Sequence, residues 1–208
     1  MSRAPQLITD GNHRFAPWIS AAQIQERTRD MAADMAQHFR GERVRLLAVL
    51  QGARPFHQLL AQELGAQPDG PAEIQTDAMW VKSYAGDQST GMLKWLQYPT
   101  LPQDNNVHTV IVEDILDTGN TLSQVTRHLG TLGAASLSTA VLLDKAPART
   151  TPFEADWAGF TIPDAFVIGF GLDLDERHRQ HPDIYAALAE HDHELPDYSL
   201  PQFRAAAH

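Results

Sequence analysis

The sequence contains no cysteine in its 208 residues, so it can form neither disulfides nor thiolate nucleophiles and metal ligands. No apolar run approaches the roughly 18–20 residues that a membrane span requires. Residues 1–12 lack the charged segment and the apolar core of a secretion signal. These absences fit a cytoplasmic location, and we expect no contact with a membrane.

Basic residues are scarce: Lys and Arg total 16 against 26 Asp and Glu, which gives a net charge of −10. A general nucleic-acid surface needs a basic face, so we expect no nucleic-acid partner. An anionic small molecule is compatible with this charge, because helix ends and a bound cation can outweigh the global field locally. The length and the 43% hydrophobic content suit one globular domain covering residues 1–208.

Two common phosphate-binding motifs are also missing: the sequence has no G-x-x-x-x-G-K-S/T, and no G-x-G-x-x-G opens a helix after a strand. It has instead the stretch 110–121, whose first residues are β-branched without alternation and therefore predict a strand buried on both faces. The acidic pair Glu113 and Asp114 lies near the end of this strand. A small-residue turn, 117–121, follows, and then a helical pattern that ends at Gly133.

This order suits a phosphorylated sugar. The first N–H groups of a helix are unpaired and lie at its positive end, so the turn 117–121 can hold a phosphate. Gly119 lets the backbone approach closely, and the hydroxyls of Thr118 and Thr121 add donors. Carboxylates beside a phosphate require hydrogen-bond donors, such as a ribose diol, or a cation such as Mg²⁺. The pattern indicates a ribose 5-phosphate ligand, with an ordinary capped strand–turn–helix as the alternative.

Other predicted strands also end at polar residues. Strands at 44–50, 137–143 and 166–171 precede Gln51 and Gly52, Lys145, and Asp173 respectively. Ligands of open α/β sheets lie outside the carboxyl ends of the strands. These three sets of residues and the acidic pair Glu113 and Asp114 are therefore expected to converge there. Taken one at a time, Gln51 and Gly52 also fit a structural turn, and Lys145 also fits a solvated side chain.

The remaining segments predict packing elements and a lid. A capping box at Ser20 and Gln23 begins a helix that ends at Gly41 and follows a loose segment, and Pro55 begins a second helix. A long polar loop at 82–91 separates two predicted strands and is either decoration or a lid. Its unusual Ser-Tyr followed by Gln-Ser-Thr-Gly favours the lid. Residues 185–188 predict one more short element.

The motif Val-Glu-Asp-Ile-Leu-Asp-Thr-Gly-Asn-Thr at 112–121 resembles the phosphoribosyl pyrophosphate (PRPP) signature of the type I phosphoribosyltransferases. A similarity to the hypoxanthine-guanine phosphoribosyltransferases extends over about 47–188. It includes Lys-Ser-Tyr and Asp-Gln-Ser-Thr-Gly within 82–91, Leu-Leu-Asp-Lys-Ala-Pro around Lys145, Ile-Pro-Asp-Ala-Phe-Val-Ile-Gly-Phe-Gly-Leu-Asp at 162–173, and Arg179 six residues later.

The resemblance implies an α/β fold of the type I phosphoribosyltransferase kind, with a central, mostly parallel sheet flanked by helices. The core would cover about 42–175, and the terminal segments would form a small hood. The implied activity is purine salvage: transfer of the 5-phosphoribosyl group from PRPP to N9 of hypoxanthine or guanine, with Mg²⁺, giving IMP or GMP and pyrophosphate. The implied assembly is a homodimer or homotetramer whose partners are otherwise small-molecule substrates.

The resemblance also assigns roles to residues. Asp117 would be the general base at purine N7, and Ser83 and Tyr84 would belong to the lid. PRPP and its 5-phosphate would be bound by Glu113, Asp114, Asp117, Thr118, Gly119, Asn120 and Thr121. The purine would be bound by Lys145, Phe166, Val167 and Asp173. Pyrophosphate would be bound by Gln51, Gly52 and Arg179, and Mg²⁺ by Asp173, Glu113 and Asp114.

The chain departs from the family pattern at two positions. Gln51 stands where the family usually has lysine, in a loop whose peptide is often cis, and Leu174 replaces a common aromatic residue. Two alternatives stay open. One is a gene regulator carrying the PRPP signature, which would need a helix-turn-helix or a basic face; the other is an enzyme that prefers xanthine or accepts 6-oxopurines broadly. The pair His191 and His193 could suggest a metal site, but a solvated tail fits that polar segment better.

Overall fold

The computed structural model describes residues 6–83, 93–99, 107–131, 136–188, 195 and 197–203. The strands are β1 (Ile8–Asp10), β2 (His13–Ile19), β3 (Arg43–Leu50), β4 (Glu73–Ser83), β5 (Leu93–Gln97), β6 (His108–Leu116), β7 (Ser136–Asp144), β8 (Trp157–Thr161), β9 (Val167–Ile168) and β10 (Ile184–Ala187). The helices are α1 (Ala21–His38), α2 (Arg54–Gly65) and α3 (Asn120–Gly130), with a short 3-10 helix at Ala146–Ala148.

Six strands form the central sheet in the order β5-β4-β3-β6-β7-β8, all parallel except the edge strand β5. The continuous apolar runs of β3, β6 and β7 are buried because helices cover both faces of a parallel sheet. Since Ala48 of β3 pairs with Val112 of β6, and Leu116 of β6 pairs with Asp144 of β7, the three strands end side by side. The expected α/β fold is confirmed.

The helices lie on opposite faces of this sheet. Met31 of α1 and Leu60 of α2 pack in one apolar core with Val110 of β6. On the other face, Val125 of α3 packs with Ile111 of β6. The alternation of Val110 and Ile111 toward opposite cores is the period of two expected for a strand covered on both sides.

The predicted helix starts agree with the structure. Ser20 caps α1 with the expected reciprocal box, in which its hydroxyl accepts from Gln23 N and Gln23 Oε1 accepts from Ser20 N. Pro55 lies in the first turn of α2. Helix α3 begins at Asn120 and ends at Gly130; the predicted stop at Gly133 lies outside the described residues.

A small antiparallel sheet of order β1-β2-β10-β9 forms the hood, and it joins the two terminal parts of the chain as expected. The segment before α1, which was expected to be loose, therefore contributes two strands. The strand β8 was also not predicted. The short element expected at 185–188 is confirmed as β10, which covers Ile184–Ala187.

The strand predicted at 166–171 is wrong in length and in place. Only Val167 and Ile168 are extended, and they pair with β10 in the hood and not with the central sheet. The backbone then takes left-handed values, with φ of 94° at Gly169, 48° at Phe170 and 99° at Gly171. Such φ values turn the chain sharply and end the strand, so Asp173 does not follow a strand of the central sheet.

Candidate active site

A cavity of about 560 Å³ opens at the carboxyl ends of β3 and β6, between the central sheet and the hood. It gathers residues from the strand-end loop after β3, from β4, from the loop between β6 and α3, and from the segment after β9. The predicted site residues that line it are Gln51, Glu113, Asp114, Asp117, Thr118, Gly119, Thr121, Asp173 and Arg179.

The acidic pair forms the floor of this cavity at the end of β6. Burial, and then the neighbouring Asp114 charge, raises the pKa of the Glu113 carboxyl well above its usual range. Burial also raises the pKa of Asp114. Glu113 is buried and Asp114 is half-buried. Two adjacent carboxyls of this kind are stabilised in their ionised form by a cation or by several donors, so the pair is suited to a hydroxylated ligand with an attached metal.

Gly52 makes room for Asp114. A Cβ placed on Gly52 would lie 1.7 Å from Asp114 Oδ2, which no side chain can tolerate. The Asp114 carboxylate therefore lies directly against the backbone of the loop after β3. Its other oxygen, Oδ1, accepts a hydrogen bond of 2.9 Å from the N–H of Ile115.

The loop after β6 has the form of an anion site. Gly119 has φ of 84° and immediately precedes the first residue of α3, whose first-turn N–H groups have no helical acceptors. A Cβ on Gly119 would lie 2.9 Å from Thr151 O, so this position also requires glycine. Asp117 and Thr118 are exposed toward solvent. Asn120 does not line the cavity, and its Oδ1 accepts a hydrogen bond of 2.9 Å from Gln124 Nε2.

The peptide bond between Leu50 and Gln51 is cis, in agreement with the loop type that the resemblance implied. Gly52 is buried, whereas Gln51 is exposed and lines the cavity. The hood closes on this loop, because a Cβ on Gly171 would lie 2.0 Å from Gly52 O. This backbone contact joins the loop after β3 to the segment after β9.

Asp173 and Arg179 reach the cavity from the hood. Arg179 Nη2 lies 2.8 Å from Asp173 Oδ1, and Arg179 Nη1 donates a 2.7 Å hydrogen bond to Gly171 O. Asp173 Oδ2 accepts a 2.7 Å bond from the N–H of Glu176, which has φ of 63°. The turn between the two residues thus sets their side chains side by side.

Of the predicted purine residues, Asp173 lines the cavity, whereas Lys145, Phe166 and Val167 do not. The Lys145 side chain is 10% exposed, and its Nζ lies 3.3 Å from Asp164 Oδ1 and 3.7 Å from Asp117 Oδ2. Phe166 is 48% exposed, with its ring centroid 6.1 Å from that of Phe15, and Val167 is buried in β9. Asp117 connects this group to the cavity.

Several cavity residues were not predicted. Trp80 and Lys82 lie two residues apart on β4, and Lys82 Nζ is 5.6 Å from the centroid of a Trp80 ring. The sequence placed Lys82 in the polar loop 82–91, so only its spacing of two from Trp80 could have indicated that the two side chains share a face. Glu176 also lines the cavity, but no sequence pattern indicated it. Of the predicted lid residues, Ser83 ends β4, and Tyr84 lies outside the described residues.

Within the part of the chain that the structure describes, no group of three or more His, Cys, Asp or Glu side chains is arranged to hold a metal ion. In the same residues, none of the helices combines the length and the apolar character needed to cross a membrane.

Comparison with known proteins gives consistent matches. The family described as "Phosphoribosyl transferase domain" matches residues 20–177. The hypoxanthine-guanine phosphoribosyltransferase of Streptococcus pneumoniae (strain ATCC BAA-255 / R6) is 36% identical over 168 residues, covering 80% of this chain and 89% of the relative. A crystal structure of a hypoxanthine phosphoribosyltransferase from Staphylococcus aureus superposes with a TM-score of 0.75 at 30% identity, covering 82% of this chain and 90% of that chain. The hypoxanthine phosphoribosyl transferase of Trypanosoma cruzi superposes with a TM-score of 0.77 at 30% identity, covering 86% and 94%.

Proposed function

The chain belongs to the hypoxanthine-guanine phosphoribosyltransferase family, and we propose that it transfers the 5-phosphoribosyl group from PRPP to N9 of hypoxanthine or guanine. The products are IMP or GMP and pyrophosphate, and the role is purine salvage. The observation that carries the proposal is the convergence in one cavity of the acidic pair Glu113 and Asp114, a glycine turn opening a helix, and the Asp173–Arg179 pair. Each part suits one piece of PRPP.

The 5-phosphate binds in the loop of residues 117–121. The N–H groups of this loop and of the first turn of α3 are the proposed donors to the phosphate, and the hydroxyls of Thr118 and Thr121 add further donors. Gly119 supports this role because its left-handed backbone and close approach to Thr151 leave no room for a side chain. Asn120 contributes its backbone, since its side chain is bonded to Gln124.

The ribose hydroxyls bind to Glu113 and Asp114, directly or through Mg²⁺. The residues fit such an ion, because Mg²⁺ usually takes one or two carboxylates and completes its shell with water and substrate oxygens. The pKa values of Glu113 and Asp114 are raised because burial disfavours their ionised forms. A bound cation would stabilise those ionised forms, which supports this role. Asp173 is a further ligand candidate, and when bound the ion neutralises charge on the pyrophosphate.

The purine lies between Lys145 and Phe166. Lys145 donates to the O6 atom, which favours 6-oxopurines over adenine, whose amino group cannot accept that bond. Phe166 stacks on the base from the exposed side, and the backbone of Val167 binds its edge. Asp117 is the general base at N7. Its Oδ2 lies 3.7 Å from Lys145 Nζ, so Asp117 and Lys145 can reach the N7 and O6 atoms on the same side of the purine.

Pyrophosphate binds to Arg179 and to the backbone of Gln51 and Gly52. Beyond its bonds to Gly171 O and Asp173 Oδ1, the planar guanidinium of Arg179 keeps N–H donors that suit phosphate oxygens. Gln51 removes the positive charge that relatives of this family usually carry there. Lys82, from the neighbouring strand β4, supplies a cation to the same cavity.

In the reaction, purine N9 bonds to C1 of PRPP while the bond from C1 to the pyrophosphate oxygen breaks and its electron pair leaves with pyrophosphate. The N7 proton passes to Asp117. Because the transition state resembles an oxocarbenium ion, excluding water from C1 matters, and Ser83 and Tyr84 on the lid serve that purpose. The chain works in the cytoplasm. It assembles as a homodimer or homotetramer, and light scattering of the purified protein would test this assembly.

The test is pyrophosphate release from PRPP and Mg²⁺ with hypoxanthine, guanine, xanthine or adenine offered separately, and with no base as the control. Turnover with hypoxanthine or guanine and none with adenine is expected. Faster turnover with xanthine would replace the substrate assignment. Clear PRPP binding without turnover on any base would overturn the enzyme proposal in favour of a PRPP-dependent regulator.

A further inference from the structure

Arg149 lies outside the cavity, on the far side of the phosphate loop. It follows the short 3-10 helix Ala146–Ala148, and its side chain is only 16% exposed. The guanidinium Nη1 donates to Leu116 O at 3.0 Å and to Asp117 O, while Nη2 pairs with Asp144 Oδ1. One cation therefore connects the loop to the end of β7.

The residues on either side of Arg149 also bind carbonyls of the phosphate loop. The N–H of Lys145 donates to Leu116 O at 2.9 Å, and the N–H groups of Thr150 and Thr151 donate to Thr118 O at 3.1 and 3.0 Å. Three successive carbonyls of the loop, those of residues 116, 117 and 118, thus point toward segment 145–151. No donor of the loop itself is used in these bonds.

This arrangement fixes the direction of the loop N–H groups. In a trans peptide the N–H of one residue points opposite to the carbonyl of the residue before it. When the carbonyls of Asp117 and Thr118 point toward Arg149 and its neighbours, the N–H groups of Thr118 and Gly119 point away from them, toward the cavity. Two such parallel N–H groups beside a helix start form an anion-binding concavity.

The fit around Gly119 shows how closely the segment packs. A Cβ at Gly119 would lie 3.0 Å from Arg149 Cδ and 3.2 Å from Phe153 Cβ, in addition to 2.9 Å from Thr151 O. The aliphatic stem of Arg149 thus packs against the glycine while its head binds the carbonyls. Movement of Arg149 must move the loop.

We propose that Arg149 is a positioning residue that orients the peptide groups of residues 116–119 for the 5-phosphate and for Asp117. The proposal rests on the proposed function and deepens it by assigning a residue that touches no substrate. Asp144 is its anchor, because the register pairs Asp144 with Leu116 at the ends of β7 and β6. Lysine can replace arginine here only in part, since a single ammonium lacks the planar fork that serves two carbonyls and a carboxylate together.

The experiment compares binding of PRPP and of inorganic pyrophosphate, both with Mg²⁺, by calorimetry of the full-length protein. Arg149→Met is expected to weaken PRPP binding about 10- to 100-fold, as expected for misplaced binding groups, and to leave pyrophosphate binding within about twofold, because pyrophosphate does not use the loop. Arg149→Lys is expected to fall between Arg149→Met and wild type. Arg127→Met, an exposed arginine on α3, is the matched control and should change neither affinity.

Equal weakening of PRPP and pyrophosphate would overturn the proposal, since it would show general damage to the site. PRPP affinity within about twofold of wild type in Arg149→Met would also overturn it. If Arg149→Met does not fold, the same comparison in Arg149→Lys and Asp144→Asn decides the proposal. Failure of the wild-type protein to bind PRPP would instead refute the proposed function, and the Arg149 role with it.

Discussion

Lys145 Nζ lies between two carboxylates, 3.3 Å from Asp164 Oδ1 and 3.7 Å from Asp117 Oδ2. The Lys145 side chain is 10% exposed, whereas those of Asp164 and Asp117 are 69% and 49% exposed. A buried ammonium is thus presented to an accessible carboxylate at the edge of the cavity. The geometry suits a purine whose N7 proton goes to Asp117 and whose O6 atom accepts a hydrogen bond from Lys145.

Asp117→Asn should keep PRPP binding and lose most turnover. The amide preserves the shape of the side chain but cannot take the N7 proton, and general-base catalysis is worth about 10²–10⁴-fold in rate. Single-turnover kinetics with hypoxanthine, alongside calorimetric PRPP binding, measures both effects. Near-normal turnover would remove Asp117 from the mechanism.

Lys145→Met should raise KM for hypoxanthine while leaving PRPP affinity near wild type. A hydrogen bond to a charged group contributes about 1.5–3 kcal/mol, which corresponds to a rise of about 10- to 100-fold. Asp164→Asn is the control, because a pair with a partner as exposed as Asp164 contributes little. Equal changes of KM in both variants would contradict a direct role for Lys145 in purine binding.

Gly52→Ala should displace Asp114 and impair PRPP use. The added methyl group would meet Asp114 Oδ2 at 1.7 Å, so either the loop or the carboxylate must shift, at a typical cost of about 1–3 kcal/mol. Gly65→Ala at the end of α2 is the matched control, since its Cβ would meet Ile74 Cδ1 at an ordinary 3.9 Å. Thermal melting and KM for PRPP measure the two effects. A Gly52→Ala protein that matches Gly65→Ala in both would show that Asp114 does not depend on this contact.

Asp10 joins the first strand of the hood to the segment that carries Arg179. His178 Nε2 lies 2.7 Å from Asp10 Oδ2, and Arg177 Nη1 lies 2.9 Å from Asp10 Oδ1. The hydrogen bond with His178, followed by the charge of Arg177, holds the pKa of the Asp10 carboxyl below its usual range. Ionised Asp10 therefore stabilises the folded state above the pKa that it has in the unfolded chain. This contribution disappears as the pH falls through the lower pKa of the folded state.

Asp10→Asn should accordingly lower the melting temperature at pH 7, with the difference from wild type shrinking below about pH 4. Melting curves across this range test the sign. Asp69→Asn is the control, because the Arg40–Asp69 pair is exposed on both sides and should contribute little at any pH. A deficit in Asp10→Asn that is the same at pH 3 and pH 7 would contradict the electrostatic account.

The sequence by itself determined the strand, acidic pair, glycine turn and helix at 110–130, because these depend on neighbours close in the chain. Apolar runs likewise identified β3, β6 and β7, and the rule for parallel sheets brought Gln51, Asp114 and Lys145 to one edge. Such features are encoded by local periodicity and by residues whose conformations are intrinsically restricted.

Only the tertiary structure decided what reaches that edge from elsewhere. Asp173 arrives from the hood because left-handed backbone at 169–171 ends β9, and no apolar pattern encodes that turn. Arg149 binds carbonyls more than thirty residues earlier in the chain, and the contact of Gly171 with Gly52 spans more than a hundred. These contacts depend on how two sheets pack, and backbone carbonyls are the same in every residue, so the sequence carries no local signal for them.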